Sequence, residues 1–121
     1  MAENINSFEQ LTVWQESQNL AVQIYKITKA FPREEMFSLT DQLRRAASSI
    51  SANIAEGFGR ATTNDKLHFY TMAYGSLLEV KNFLYLSQKL GYIDDTILND
   101  TKEQIISCQK LLNAFKAGLR K

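Results

Sequence analysis

The chain has 121 residues, of which 45% are apolar and 22% charged, a composition typical of a globular protein that forms a core without disulfides or metals. Its 14 basic and 13 acidic residues leave a formal net charge of +1, so overall charge favours neither nucleic acid nor a membrane as partner. The single cysteine, Cys108, excludes an intramolecular disulfide. These numbers predict one domain, residues 1–121, in which any charged partner binds a local patch.

The chain contains no segment typical of export or of a membrane anchor. Its first residues, MAENINSFEQLTVW, lack a basic stretch followed by an apolar one, and no run approaches about 18 apolar residues. We therefore expect a cytoplasmic protein with no membrane partner.

The first predicted helix covers residues 11–31. Apolar side chains spaced four, three and four residues apart give it one face, formed by Leu20, Ile24, Ile27 and Phe31. Pro32 follows directly, and proline both lacks a backbone donor and clashes with a preceding helical turn. The helix is therefore predicted to end at Phe31.

The second predicted helix covers residues 39–58. Ser38 and Asp41 resemble a capping box at its start, and Gly57 and Gly59 indicate its end. One flank carries only small side chains, which would allow another helix to approach closely: Ser48, Ser51, Ala52 and Ala55. The apolar stripe of this helix consists of Leu39, Leu43, Ala46, Ile50 and Ile54.

The third predicted helix follows a second capping pattern, Thr62 with Asp65, and runs to Gly91. Its apolar stripe consists of Phe69, Ala73, Leu77, Val80 and Leu84. A second apolar face, well away from that stripe, carries Leu67, Tyr74, Leu78 and Tyr85. One core cannot cover both faces, so the second face and the small flank of helix 2 are predicted to lie between subunits of an oligomer.

The fourth predicted helix begins among three acidic residues, Asp94, Asp95 and Asp100, where the helix dipole favours anions. Its apolar positions have heptad-like spacing: Leu98, Thr101, Ile105, Cys108, Leu112, Phe115 and Leu119. Loops of a few residues make sequential helices antiparallel. The predicted fold is all-α, an up-down-up-down antiparallel four-helix bundle.

Three segments resemble a known family: FEQLTVWQES, LTDQLRRAASSISANIAEGFGR and AYGSLLEVKNFLYLSQKLGYI. They are similar to the bacterial four-helix-bundle proteins named for intervening sequences in 23S ribosomal RNA genes, and the match covers nearly the whole chain. The resemblance implies a ring-forming homopentamer. It also implies a relation to the accessory proteins of diversity-generating retroelements, which associate with a reverse transcriptase and nucleic acid, but it implies no enzymatic activity.

A polar stripe runs along helix 2 beside the apolar one. In the structural interpretation it forms a network with helix 3, pairing Glu56 with Lys66, Asn53 with Tyr70, Ser49 with Tyr74 and Gln42 with Lys81, while Glu56 also pairs with Arg60. Arg45 would need Glu79, another chain or a ligand. In the alternative interpretation the stripe is a recognition site. The residues of this motif are Gln42, Arg45, Ser49, Asn53, Glu56, Gly57, Arg60 and Glu79.

The sequence shows no pattern typical of catalysis. His68 with Asp65 faintly resembles part of a di-iron site, but such a site needs a second motif and two more glutamates. Phosphate-binding glycine loops, HExxH pairs and nucleophile elbows are missing from the sequence. We therefore expect no enzyme, no metal site and no cofactor.

Charge is segregated toward the end of the chain. Residues 101–121 contain five basic side chains and one acidic one, Glu103, a net charge of +4, which leaves −3 on the remainder. This face is either a solvated lysine surface or a phosphate-binding one, and a ring would repeat it. Exposed aromatic platforms for bases are not evident from the pattern. The candidate nucleic-acid-binding residues are Lys102, Lys110, Lys116 and Arg120.

The leading hypothesis is a non-enzymatic homo-oligomeric scaffold that binds RNA, another nucleic acid or a nucleic-acid-processing protein through this basic face. The alternative is a structural oligomer or adaptor that binds only protein.

Overall fold

The computed structural model describes residues 5–120, which form four α-helices, two short 3₁₀ helices and no strand. Each helix contacts its two neighbours around a square, with α1 and α3 both packed against α2 and α4. This arrangement confirms the predicted up-down-up-down bundle. Residues 1–4, which are part of the N-terminal segment considered for an export signal, lie outside the described range. Lys121, the last residue of the basic segment, also lies outside it. The helices are α1 (Thr12–Thr28), α2 (Leu39–Phe58), α3 (Thr63–Lys89) and α4 (Asp95–Leu119).

The predicted apolar stripes meet in one core. Most of their side chains are buried, and the aliphatic residues at the centre of all four helices are inaccessible to solvent. Phe69 is an exception because it is only partly buried. The Arg60 guanidinium lies over its ring, 4.4 Å from the centroid. Its neighbour Tyr70 is the aromatic side chain that α3 buries instead.

The first helix ends three residues earlier than predicted, at Thr28. The residue before a proline is disfavoured in helical geometry, so the turn before Pro32 unwinds. The amides of Ala30 and Phe31 bond three residues back, to Ile27 and Thr28. Phe31 nevertheless stays buried as predicted, 5.3 Å from the ring of Tyr92.

One of the two predicted capping arrangements, at Thr62, is present, and Asp94 provides a cap that was not predicted. The side chains of Thr62 and Asp94 accept hydrogen bonds from the backbone amides of Asp65 and Ile97, at 3.1 and 2.8 Å. Ser38 makes no such side-chain bond, so the predicted capping box at α2 is wrong. Its φ and ψ of −128° and −106° depart from the extended backbone typical of an N-cap residue.

Gly91 ends α3 in the left-handed region, with φ of +80°. The amide of Gly91 bonds to the Gln88 carbonyl, and the amide of Tyr92 bonds to the Ser87 carbonyl. This is the Schellman pattern, which satisfies the last carbonyls of the helix and favours glycine at the left-handed position. It turns the chain sharply toward α4.

Helix α2 ends at Phe58 with Gly59 as its C-cap, as predicted, whereas Gly57 lies within the helix, buried against α3. A Cβ atom at this position would lie 2.6 Å from Cε1 of Tyr70 and 3.0 Å from Cβ of Phe69. Glycine therefore allows the Tyr70 ring to lie against the α2 backbone. The other side of that ring meets Phe115 of α4, with 4.9 Å between centroids. Tyr70 thus joins three helices, and burial raises its pKa to about 12.

Replacing Gly57 by alanine should lower the free energy of unfolding by about 1–3 kcal/mol, because a methyl group would overpack the contact with Tyr70. Gly75→Ala is the matched control, since a Cβ there meets nothing within 4 Å and alanine favours a helix interior by about 0.5–1 kcal/mol. Urea unfolding of both variants measures the difference. Equal stability of the two variants would contradict the proposed role of the close α2–α3 contact.

Candidate nucleic-acid interface

The polar stripe of α2 bonds mainly within its own helix. Asn53 donates to the Ser49 carbonyl at 2.9 Å, and the Ser49 hydroxyl lies 2.6 Å from the Ser76 hydroxyl of α3. Glu56 and Arg60 form the predicted ion pair at 3.2 Å, with both side chains largely exposed. The Ser49 contact with Ser76 is therefore the stripe's hydrogen bond to the neighbouring helix.

The predicted cross-helix pairs are not formed. Lys66 donates to the carbonyl oxygens of Phe58 and Gly57, at 2.6 and 3.4 Å, instead of pairing with Glu56. The positive charge thus stabilises the carbonyl end of α2, where the helix dipole favours cations. Ser49 faces Ser76 because Tyr74 lies on the side of α3 that faces α4. No hydrogen bond joins Asn53 to Tyr70 or Gln42 to Lys81 among the described residues.

The upper part of the stripe surrounds a surface cavity of about 310 Å³, lined by Gln42, Arg45, Ala46, Ser49 and Glu79. Arg45 does not pair with Glu79 there. Its Nε lies 2.9 Å from Asp41, one turn back on α2, and its side chain is 79% exposed. An ion pair this exposed contributes little to stability. The structure therefore brings four residues of the motif together without a hydrogen-bond network that would hold a ligand.

The two surfaces predicted on α3 and α4 lie side by side. The Lys102 ammonium is 5.1 Å from the centroid of the Tyr85 ring, and the Lys116 ammonium is 5.6 Å from that of Tyr74. Each lysine is half-buried, with its charge over an aromatic face, the geometry of a cation–π contact. We call the combined area the basic-aromatic surface. It consists of Tyr74, Leu78, Lys81, Tyr85, Lys102 and Lys116.

The charge of the basic-aromatic surface is not neutralised by the protein. Polar contact with the Lys102 ammonium lowers the pKa of Tyr85, and the charges of Lys102 and Lys81 act in the same direction. The only ion pairs among residues 5–120 are Asp41 with Arg45 and Glu56 with Arg60. None of the surface's three lysines therefore has a carboxylate within 4.0 Å in the described chain.

The remaining candidate residues extend or border this surface. Lys110 is exposed on α4 and Arg120 is exposed directly after its last residue, and neither makes an ion pair with the described residues. Leu67 is half-buried at the start of α3, and Leu78 and Tyr85 are 48% and 38% exposed. Tyr85 is thus an accessible aromatic ring beside a cation, which the sequence pattern did not indicate. Accessibility depends on helix rotation, which periodicity alone does not determine.

The described residues form neither a candidate metal site nor a helix that could span a membrane. Between Ile5 and Arg120, no group of three or more His, Cys, Asp and Glu side chains is placed to share a metal ion. His68 is exposed and packs edge-on against Phe69. Over the same range, no helix has the length and apolarity needed to cross a membrane.

The fold and this surface define a small all-α bundle protein with an unneutralised basic face. The chain belongs to the 23S rRNA-intervening sequence protein family, whose model matches residues 9–114. A solved structure from the S23 ribosomal protein family of Bacteroides thetaiotaomicron, described as a protein with unknown function, is similar over 87% of this chain and 98% of its own. At 24% identity and a TM-score of 0.80, that likeness shows the fold. A comparison with curated proteins gave no match.

Ser49→Ala should lower the free energy of unfolding by about 1 kcal/mol, because it removes the partner of the buried Ser76 hydroxyl. Glu56→Ala should lower it by no more than about 0.5 kcal/mol, since only an exposed ion pair is lost. Thermal and urea unfolding of both variants measure the two effects. A larger loss in Glu56→Ala than in Ser49→Ala would show that Glu56 has a structural partner outside this protomer.

Proposed function

We propose that the protein is a non-enzymatic homo-oligomeric scaffold, a pentamer, that binds RNA through the basic-aromatic surface. The observation that carries this proposal is the pair of lysine ammonium groups held over Tyr85 and Tyr74 without a carboxylate partner. Membership of the 23S rRNA-intervening sequence family supports RNA as the nucleic acid only weakly, because the family description refers to gene context.

Phosphate groups fit this surface better than the apolar face of another subunit does. Burying Lys102 and Lys116 against an apolar face of another subunit would remove two charges from water without an acidic partner, which is energetically unfavourable. A nucleic-acid backbone would instead supply the missing negative charges and release counterions. Although the sequence assigns Leu67, Tyr74, Leu78 and Tyr85 to an oligomer face, the position of the two lysines therefore favours nucleic-acid binding there.

The exposed ring of Tyr85 adds a second mode of contact. Bases of a single strand stack on aromatic side chains, and flanking cations bind the backbone, with little dependence on base sequence. Lys110 and Arg120 would extend the contact along α4. We therefore propose single-stranded or looped RNA as the preferred ligand, with weak sequence preference.

The alternative function is a protein-binding adaptor. The half-exposed Leu78 favours it, since a leucine at the centre of a basic surface could contact an acidic or amphipathic protein segment. The resemblance to retroelement accessory proteins adds a nucleic-acid-processing enzyme, such as a reverse transcriptase, as the corresponding partner.

RNA affinity should fall as salt rises, and the double variant Lys110→Gln/Arg120→Gln should bind more weakly with a shallower salt dependence. The slope of log K against log salt should decrease by about 0.7 for each single-strand phosphate contact removed. Arg33→Gln/Lys89→Gln is the matched control, because it removes two exposed charges elsewhere that likewise make no ion pair with the described residues. Fluorescence anisotropy with a structured RNA and a single strand measures both. Absence of salt-dependent binding by the intact oligomer would favour the protein-only adaptor.

Leu78→Asp completes this experiment, because the exposed side chain can be replaced without disturbing the core. It should weaken RNA binding while light scattering still reports a multimer of the 13.8 kDa chain. Loss of the multimer in this variant would instead show that the α3 face joins the subunits, as the sequence pattern predicts.

A further inference from the structure

An apolar groove of about 620 Å³ lies between α1 and α2, away from the basic-aromatic surface. Its α2 side is the flank of small side chains, which keeps the groove open. Its α1 side carries aromatic and aliphatic residues, of which Val22 and Tyr25 are 53% and 44% exposed. Two cations, Lys26 and Lys29, lie at the end nearest the α1–α2 loop, and no acidic residue lines the groove. The residues that matter most are Trp14, Val22, Tyr25, Ser48, Ala52 and Ala55.

The α1–α2 loop exposes a large apolar side chain. Phe37 is 93% exposed, the highest value for any large apolar residue between Ile5 and Arg120, and Met36 before it is 50% exposed. Isolated exposed apolar residues are common, but an almost fully exposed phenylalanine leaves nearly all of its 150–250 Å² of buriable surface in water. Phe37 does not line its own protomer's groove.

The loop is held in shape, so it can present Phe37 without much loss of conformational entropy on binding. A 3₁₀ turn spans Arg33–Glu35, closed by bonds from the Glu35 and Met36 amides to the carbonyls of Pro32 and Arg33. The Tyr92 hydroxyl donates to the Glu35 carboxylate at 2.8 Å, which ties the loop to the α3–α4 turn.

The charges beside Phe37 and at the end of the groove are opposite in sign. Two acidic residues, Glu34 and Glu35, come just before the exposed apolar pair, and Glu34 is exposed without an ion pair in the described chain. Lys26 and Lys29 at the groove are exposed cations that likewise make no ion pair there. Residues 34–37, with two carboxylates and an exposed aromatic side chain, are therefore opposite in charge to the Lys26 and Lys29 end of the groove, although the whole loop 29–38, which also contains Lys29 and Arg33, has no net charge.

We propose that residues 34–37 of one copy dock into the α1–α2 groove of a neighbouring copy, with Phe37 as the anchor. This inference rests on the proposed homo-oligomer and names the contact that builds it. The loop and the groove are different surfaces, so the contact is heterologous: each copy offers one of each, and repetition closes a ring when the rotation between copies allows. It also leaves the basic-aromatic surface free for RNA.

Light scattering on two complementary variants tests the proposal. Phe37→Asp retains the groove but loses the anchor, whereas Ala52→Glu retains the anchor but blocks the groove with bulk and negative charge. Each variant alone should run as a 13.8 kDa monomer with unchanged helicity. Mixed in equal amounts, they should form a dimer, because one intact contact remains. Met72→Asp and Ala114→Glu are matched controls at exposed helical positions and should keep the full multimer.

The outcomes separate this inference from the proposed function. A wild-type monomer would overturn both the docking contact and the homo-oligomer. A wild-type multimer that survives Phe37→Asp and Ala52→Glu would overturn the docking contact alone. RNA that binds to wild type but not to Ala52→Glu, with the multimer intact, would assign the groove to nucleic acid and also overturn the proposal.

Cross-linking covers the case in which a variant fails to fold. The double variant Phe37→Cys/Ala52→Cys should form disulfide-linked ladders between copies under mild oxidation, whereas Met72→Cys/Ala52→Cys should not. The native Cys108 is 2% exposed, and burial raises the pKa of its thiol to about 11, so it should remain unreactive near neutral pH. Equal ladders from both pairs would contradict a contact through Phe37.

Discussion

The close contact of α2 with α3 at Gly57 and Tyr70 determines which aromatic side chains of α3 face the core and which face the surface. Because no side chain separates the α2 backbone from the Tyr70 ring, that ring fills the space between α2 and Phe115 of α4. Tyr74, one turn further along α3 and rotated outward by about 40°, then lies at the edge of the core beneath Lys116. The packing of one buried glycine is thus coupled to the position of an aromatic ring on the surface.

The same arrangement explains how α3 can be apolar over more than half of its circumference. The bundle core covers one part, and the ammonium groups of Lys102 and Lys116 lie over the Tyr85 and Tyr74 rings on another, where Tyr85 and Leu78 stay partly exposed. The result is a surface that combines aromatic area with positive charge. Apolar side chains that the sequence pattern assigns to subunit contact are therefore placed where a nucleic-acid backbone can reach the adjacent cations.

The protein has two other exposed apolar features, which differ in charge from that surface. The groove between α1 and α2 has two lysines at one end, and Phe37 follows two acidic residues, Glu34 and Glu35. Separate surfaces for self-association and for nucleic acid would let a ring form first and then repeat the basic-aromatic surface around it. Repetition converts modest single contacts into strong binding, provided that one RNA can span several copies.

The sequence predicts the fold well because helix periodicity depends on local side-chain order. The bounds of α2 agree with the structure, and the stripe residues from Leu20 to Leu112 are buried except for Phe69. The rotation of each helix against its neighbours depends on tertiary contacts. Periodicity therefore predicts Ser49 beside Tyr74, where the structure has Ser76, and it does not indicate the lysine–tyrosine contacts. Composition also could not indicate that Phe37 is exposed, since phenylalanine is ordinarily a core residue.

Lysine footprinting by acetylation and mass spectrometry, with and without bound RNA, tests the central claim most directly. The account predicts that RNA protects Lys102, Lys110 and Lys116 and leaves the exposed Lys89 reactive, while Lys26 and Lys29 react equally in both samples because the groove contacts another copy. Protection of Lys26 and Lys29 by RNA, with Lys102 and Lys116 unchanged, would contradict the assignment of nucleic-acid binding to the basic-aromatic surface.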